Sequence, residues 1–128
     1  MKVLIDSHAI VWWMTGDPRL SDTAHQLLSS SVHQRMLSLA SLWELSLKVS
    51  TGRLLGIGST IRDLREAVDA QSIFILPINY EHILRFEHLP GHHGDPFDRL
   101  LIAQALTEGL TILTADSKFH RYDAPILW

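Results

Sequence analysis

The stretch DPFDRLLIAQALTEGLTILTAD, residues 95–116, carries the clearest structural signal in the chain. Asp95 followed by Pro96 is typical of a helix start, because aspartate caps free backbone amides and proline suits the first helical position. The pattern predicts a helix over about 97–108 that a glycine closes. A short apolar run then predicts a strand over 110–113, which an aspartate follows shortly. This stretch therefore predicts a helix that leads into a buried strand.

The same alternation of helical segments and short apolar runs continues through the rest of the chain. Strands are predicted at 2–5, 36–39, 73–76 and 110–113, with an edge strand at 125–128, and helices at 9–14, 21–28, 41–49, 61–70, 80–88 and 97–108. Apolar strands that alternate with helices predict a parallel sheet covered on both faces. We therefore predict a three-layer α/β fold, one domain over 1–128, with a central parallel sheet of four to five strands flanked by helices.

Composition narrows the function classes. The chain has no cysteine, so disulfides and thiolate metal sites are excluded. The net charge of −3 argues against a strongly basic nucleic-acid binder, but a nuclease remains open because bound metal neutralises its carboxylates. Asp6 and His8 interrupt the early apolar run, so neither a signal peptide nor a membrane span is predicted. These features predict a soluble cytoplasmic protein.

Four acidic residues fall where such a sheet gathers ligands, beyond the carboxyl ends of its strands. Asp6 follows the first strand and Asp116 follows the fourth, so both point at the same edge. Glu44 lies early in the helix after the second strand, and Asp98 lies in the first turn of the helix before the fourth strand. The sequence therefore predicts that four acids from distant segments converge at one edge.

Converging carboxylates cost stability unless a cation is present. Mg²⁺ and Mn²⁺ are hard ions that bind a few carboxylates and keep several waters, and they assist in-line displacement at phosphorus. The pattern therefore predicts a Mg²⁺ (or Mn²⁺) site for phosphodiester hydrolysis. We assign Asp6 and Asp98 as the first metal ligands, and Asp116 and Glu44 as residues that hold a second metal, its waters or the attacking water.

Each acid also has a purely structural interpretation. Ser41 and Glu44 have the spacing of a capping box, and Glu44 precedes Lys48 by four residues, as in a helix ion pair. Asp98 could interact only with the dipole at its helix start, and the two aspartates after strands could be ordinary turn residues. Together these interpretations need four coincidences at one edge, which favours the metal site.

Four segments carry a family pattern. They are Ile5-Asp6-Ser7-His8-Ala9, Ala40-Ser41-Leu42-Trp43-Glu44, Asp95-Pro96-Phe97-Asp98-Arg99-Leu100-Leu101-Ile102-Ala103-Gln104-Ala105 and Leu113-Thr114-Ala115-Asp116. Together they resemble the PIN domain, and more narrowly its VapC-type toxins of bacterial toxin–antitoxin pairs. The resemblance extends over essentially the whole chain, and the Asp-Pro-Phe-Asp-Arg segment is its most specific part.

The resemblance implies a PIN-like fold and Mg²⁺- or Mn²⁺-dependent endoribonuclease activity. The family's acids fall on Asp6, Glu44, Asp98 and Asp116, and its small hydroxyl residues near the metal fall on Ser7 and Thr114. The implied partners are an RNA substrate, a second copy of the chain in a homodimer, and a cognate antitoxin that blocks the groove.

Basic residues beside the predicted site are candidates for RNA binding. These are Lys48, Arg53 and Arg99, each with a solvated surface charge as the alternative interpretation. Gly94 and Ser50 stand where related toxins often carry a basic residue. Because phosphate contacts supply most sequence-independent affinity, these two positions predict weaker RNA binding.

Two aromatic neighbours and the histidines allow further interpretations. Trp12 and Trp13 cannot both face the same core, so one marks a dimer or antitoxin interface, or both pack against different elements. The eight histidines lack the His-Glu-x-x-His spacing of a zinc site. His8 is interpreted as a hydrogen-bonded structural residue.

Two other function classes fit part of the pattern. A Mg²⁺-binding receiver-type phosphoacceptor switch agrees in size and acidic pocket. That class needs paired acids at the first strand, and Asp6 has no acidic neighbour. A non-catalytic interaction module would use the acids only to cap helices.

Overall fold

The computed structural model describes residues 1–51, 60–92 and 94–128, and these form a parallel sheet with helices on both faces. The strands are β1 (Lys2–Ile5), β2 (Gln34–Ser38), β3 (Phe74–Leu76), β4 (Thr111–Leu113) and β5 (Ile126–Leu127). The helices are α1 (Ser7–Thr15), α2 (Asp22–Ser29), α3 (Leu39–Ser50), α4 (Ile61–Ala70), α5 (Tyr80–Glu87) and α6 (Pro96–Glu108), followed by a short 3₁₀ helix, Ser117–Arg121. This arrangement confirms the predicted α/β fold.

The sheet has the strand order β3-β2-β1-β4-β5, and every pairing in it is parallel. β1 is the central strand, with Val3 opposite Arg35 on one side and Thr111 on the other. Val3, Leu4 and Ile5 are fully buried, as expected for a parallel strand covered on both faces. The carboxyl ends of these strands therefore lie at the same edge of the sheet.

Two core clusters lie on opposite faces of the sheet, because successive side chains of a strand point to opposite sides. Val3 and Ile5 join the first core cluster, which α1, α2, α3 and α4 cover. Leu4 joins the second core cluster, which is built mainly from α6 and includes the fully buried Phe119 of the 3₁₀ helix. This is the predicted three-layer arrangement.

The predicted boundary between the second strand and its helix is wrong by two residues. Ser38 ends β2 and caps α3, since its hydroxyl accepts a hydrogen bond from the Ala40 amide at 3.0 Å. Leu39 therefore lies in the helix rather than in the strand. The sequence also predicts a helix stop at Gly52 and a loop that contains Gly56 and Gly58, and these positions lie outside the described residues.

The predicted limits of α6 are confirmed. Asp95 accepts hydrogen bonds from the amides of Phe97 at 2.9 Å and Asp98 at 3.1 Å, and Pro96 is the first helical residue. Gly109 ends the helix in the left-handed conformation, with φ of 70°. No helix in the described part of the chain is long and apolar enough to cross a membrane.

Replacing Gly109 with alanine should destabilise the protein by about 1 kcal/mol, because a side chain disfavours the left-handed conformation. No atom lies within 4 Å of a Cβ added there, so the cost comes from the backbone alone. Urea unfolding measures the change. Gly91→Ala is the matched control, since that glycine has equally open surroundings without a positive φ. Equal effects of the two substitutions would contradict this explanation.

Candidate active site

Asp6 is the most deeply placed of the predicted acids. It follows β1 directly, and its amide donates to the Leu113 carbonyl of β4 at 3.0 Å. The residue is 3% exposed. The Thr114 hydroxyl donates to its Oδ2 at 2.9 Å, and Ser7 Oγ lies 3.5 Å from its Oδ1. Two neutral hydroxyls therefore hold a buried carboxylate at the carboxyl edge of the sheet.

His8 is the basic side chain nearest to Asp6 among the described ion pairs. Its Nδ1 lies 3.8 Å from Asp6 Oδ2. Hydrogen bonding to this carboxylate raises the pKa of His8 above its usual value, and burial opposes the shift. Within the described ranges, no lysine or arginine forms an ion pair with Asp6.

Glu44 is joined to Asp6 through a shared hydroxyl. Ser7 Oγ donates to Glu44 Oε1 at 2.7 Å, across 37 residues of sequence. The capping-box interpretation of Ser41 and Glu44 is wrong, because Ser38 caps α3 and Glu44 already lies well inside the helix. No ion pair joins Glu44 to Lys48 in the part of the chain that the structure describes. The side chain of Glu44 is thus directed toward the site.

Asp116 is linked to Asp6 through Thr114. The Thr114 hydroxyl that donates to Asp6 also accepts from the Asp116 amide at 3.1 Å. Asp116 Oδ1 in turn accepts from the Lys118 amide at 2.9 Å and caps the 3₁₀ helix. Asp116 therefore has the structural role that was the alternative interpretation of an acid after a strand. It also lies at the predicted edge of the sheet.

The loss of the Thr114 hydroxyl should weaken the site without removing any carboxylate. Thr114→Val keeps the shape of a buried residue but removes the hydrogen bonds to Asp6 and Asp116. If Asp6 binds the metal ion that the sequence predicts, RNA cleavage should fall by about 10- to 100-fold, as when a group that orients a metal ligand is lost. Initial cleavage rates at saturating Mg²⁺ measure it. Thr107→Val is the control, since its hydroxyl only bonds the Ala103 carbonyl within α6; an equal loss in both variants would contradict the assignment.

Asp98 lies in the first turn of α6. It is half-buried, beside a cleft between α3 and α6 of about 340 Å³. The cleft is lined by Glu44, Leu47, Lys48, Thr51, Asp95, Pro96 and Phe97. Glu44 therefore borders the start of the helix that carries Asp98.

The site fits a hard cation that keeps part of its water shell. Among the described residues, no three His, Asp or Glu side chains stand together as a ready-made metal cage. Mg²⁺ characteristically binds through one or two carboxylates and several waters, so it needs no such cage. The buried Asp6 carboxylate has hydroxyl partners rather than a lysine or arginine, and it lines a cleft of about 300 Å³ that can hold water. Carboxylate oxygens are the ligands that this ion prefers.

The candidate RNA-binding residues have different surroundings. Lys48 lines the cleft between α3 and α6. Arg99 donates to the Pro90 carbonyl at 2.7 Å and to the Tyr122 hydroxyl at 3.2 Å, so it holds the loop before α6. Arg53 lies outside the described residues. Ser50 donates to the Leu47 carbonyl within α3, and Gly94 is exposed.

The two neighbouring tryptophans point to different places. Trp13 packs against the first core cluster. Trp12 lines the cleft of about 300 Å³ beside Asp6 and Asp116, together with Arg19. Arg19 was not predicted as a site residue. The available signal was its place two residues after Asp17 in a proline-containing turn. Aromatic exposure was also missed at Trp43, which is 58% exposed on α3.

Comparisons with known proteins agree with this fold. Residues 3–125 match the family described as PIN domain. The chain is 30% identical over 132 residues to Ribonuclease VapC22 of Mycobacterium tuberculosis, covering 97% of this chain and 95% of that protein. A parallel sheet with an acid-lined edge and a match of this extent define the class: the chain belongs to the PIN domain family. Within that class, it is similar to a VapC ribonuclease.

Solved structures show the same fold at lower identity. VapBC2 from Rickettsia felis, crystallised with a promoter DNA fragment, has a TM-score of 0.71 at 16% identity and covers 99% of this chain and 98% of its own. FitAcB from Neisseria gonorrhoeae has a TM-score of 0.70 at 21% identity, with coverage of 98% and 96%. The receiver-type alternative predicts the strand order β2-β1-β3-β4-β5, whereas the observed order is β3-β2-β1-β4-β5. The structure therefore does not support that alternative.

Proposed function

We propose that the chain is a metal-dependent endoribonuclease of the VapC toxin type, which hydrolyses RNA phosphodiester bonds and is neutralised by a cognate antitoxin. The observation that carries this proposal is the buried Asp6 carboxylate, joined through Ser7 and Thr114 to Glu44 and Asp116 at the carboxyl edge of a PIN-domain sheet. The name of the VapC22 relative, a ribonuclease, supports the substrate class.

The site residues divide into ligands and supports. We assign Asp6 and Asp98 as the first ligands of Mg²⁺ or Mn²⁺, with Asp116 and Glu44 beside them. A bound divalent ion would increase the nucleophilicity of water and stabilise charge on the phosphate oxygens. Because Ser7 occupies Glu44 Oε1, we assign Glu44 Oε2 the role of accepting a hydrogen bond from the attacking water.

The hydroxyl residues keep these carboxylates in place. The Ser7 hydroxyl can donate only one proton, and its short contact of 2.7 Å is with Glu44 rather than with Asp6. Thr114 donates to Asp6 at 2.9 Å and is itself fixed by the Asp116 amide. Both hydroxyls therefore orient acids without adding positive charge that would compete with a metal ion.

We infer two protein partners, a second copy of this chain and an antitoxin. The solved relatives named VapBC and FitAB support the antitoxin. An exposed apolar face supports binding to another protein, since exposed patches of this kind mark interaction sites. It surrounds an apolar pocket lined by Trp43, Ile83, Phe86, Pro96, Phe97 and Leu100. We infer a cytoplasmic location, where RNA and the antitoxin would both be met.

Expression with and without the antitoxin gene tests the function. We expect growth arrest and new RNA 5′ ends when the chain is expressed alone, and neither when the antitoxin is co-expressed. Asp98→Asn should abolish both effects, while Asp123→Asn, an exposed acid outside the predicted site, should preserve them. The proposal fails if the purified, antitoxin-free protein cleaves no RNA in a broad panel with Mg²⁺ or Mn²⁺.

A further inference from the structure

The cleft beside Asp6 contains two residues that the hydrolysis chemistry does not require. It has a volume of about 300 Å³ and is lined by Asp6, His8, Trp12, Arg19, Ala115 and Asp116. Two of the proposed catalytic acids therefore share a cleft with an indole and a guanidinium. Any RNA whose phosphate reaches these acids must place a neighbouring nucleotide close to the two residues.

Trp12 is held in the wall of this cleft by aromatic neighbours. Its ring meets Trp128 edge-on, with centroids 5.8 Å apart and an interplanar angle of 69°. His8 lies on another side, with its ring centroid 6.0 Å away. Trp128 in turn packs against the first core cluster. The indole is thus a fixed support rather than a mobile surface side chain.

Arg19 lies over the Trp12 ring, with its guanidinium carbon 4.7 Å from the ring centroid. Asp17 accepts hydrogen bonds from Arg19 Nε at 3.1 Å and from Nη2 at 2.7 Å. One hydrogen-bonding edge of the guanidinium is therefore occupied. The side chain is nevertheless 67% exposed, so the surface turned away from the indole remains accessible.

This arrangement favours stacking over phosphate binding. A phosphate is normally gripped by the paired N–H groups of an arginine edge, and Asp17 already occupies one such edge. The Asp17 carboxylate also repels a phosphate, and its hydrogen bond with Arg19 lowers the pKa of Asp17, which keeps it charged at neutral pH. A nucleobase carries no charge and stacks readily on a guanidinium plane or an aromatic ring.

We propose that Arg19, supported by Trp12, is a stacking platform for the nucleobase next to the cleaved phosphodiester bond. The inference rests on the proposed ribonuclease function and assigns that site a base-binding subsite. Stacking tolerates any base, because every base has a π-face. The platform therefore positions single-stranded RNA and would contribute affinity that does not depend on phosphate contacts.

Abasic substrates test the proposal directly. A short RNA with one mapped cleavage site is prepared with a single abasic ribose at each position around that site. For the wild type, we expect one abasic position beside the cleaved bond to lower kcat/KM by about tenfold, as for the loss of one stacked base. Arg19→Lys keeps the positive charge but lacks the planar guanidinium, so the abasic position should lower its kcat/KM by a smaller factor. In Arg19→Lys combined with Trp12→Leu, this effect should disappear.

Arg65→Lys is the matched control, because Arg65 also pairs with an aspartate, Asp69, at 3.0 Å on the surface of α4. This variant should show the full wild-type loss with abasic RNA. Thermal unfolding and far-UV circular dichroism establish that each variant is folded.

Each remaining outcome decides the question. If the wild type cleaves RNA and an abasic position lowers kcat/KM equally in all variants, the proposed stacking platform is wrong while the proposed function stands. If the double variant cleaves and responds like the wild type but escapes antitoxin neutralisation, the cleft binds protein rather than RNA. If the wild type cleaves no RNA at all, the proposed function fails and the subsite fails with it.

Discussion

Asp6→Asn is expected to reduce RNA cleavage by at least about a hundredfold. Asparagine has the same shape and can still accept a hydrogen bond from Thr114, so the local packing should persist. What it loses is the negative charge of a carboxylate that is 3% exposed and therefore weakly screened by solvent. Cleavage of a labelled RNA under single-turnover conditions measures the loss.

Asp69→Asn serves as the control for the change from acid to amide, since Asp69 lies on the exposed surface of α4. It should cleave RNA at close to the wild-type rate. In EDTA, Asp6→Asn should unfold at a temperature no lower than the wild type, because it replaces a buried charge that has no lysine or arginine partner among the described ion pairs. Near-normal activity in Asp6→Asn would contradict the role assigned to this carboxylate.

Removal of divalent metal is the second change expected to abolish cleavage. Protein dialysed against EDTA should be inactive, and excess Mg²⁺ or Mn²⁺ should restore its activity. Metal should also stabilise the folded protein, by about 2.7 kcal/mol at a hundred times the dissociation constant. This stabilisation arises because the ion would bind the folded site and not the unfolded chain.

Thermal unfolding with and without Mg²⁺ measures this stabilisation independently of cleavage. The midpoint should rise with metal concentration in the wild type, and much less in Asp6→Asn. Asp69→Asn should respond as the wild type does. Full cleavage in EDTA, or an equal thermal shift in Asp6→Asn, would be incompatible with a metal site at Asp6.

The parts of the fold that could be predicted are those that local chemistry determines. The limits of α6 follow from the Asp95 cap, Pro96 and Gly109, and each of these signals acts within a few residues. The start of α3 was misplaced because Ser38 and Ser41 are both suitable caps. Ser38 is the cap because β2 ends at that residue, so that its hydroxyl lies beside the first free amides of α3.

The sequence predicts where in the fold the candidate site lies, but it does not predict which side chains contact one another there. Strand direction alone places Asp6 and Asp116 at one edge. The bridge from Ser7 to Glu44 spans 37 residues and depends on how α1 packs against α3, which no local pattern encodes. The same limit applies to Trp12, whose place in the cleft depends on the far end of the chain at Trp128.

The central location of β1 has a consequence for how the protein fluctuates. Strands in the interior of a sheet usually exchange their amide hydrogens only when the whole domain opens, whereas sheet edges open locally. The Asp6 amide, bonded to Leu113 between β1 and β4, should therefore be among the slowest to exchange. The Arg19 turn should exchange quickly. The acid at the centre and Trp12 beside it would then stay fixed, while the Arg19 turn adapts to different RNA segments.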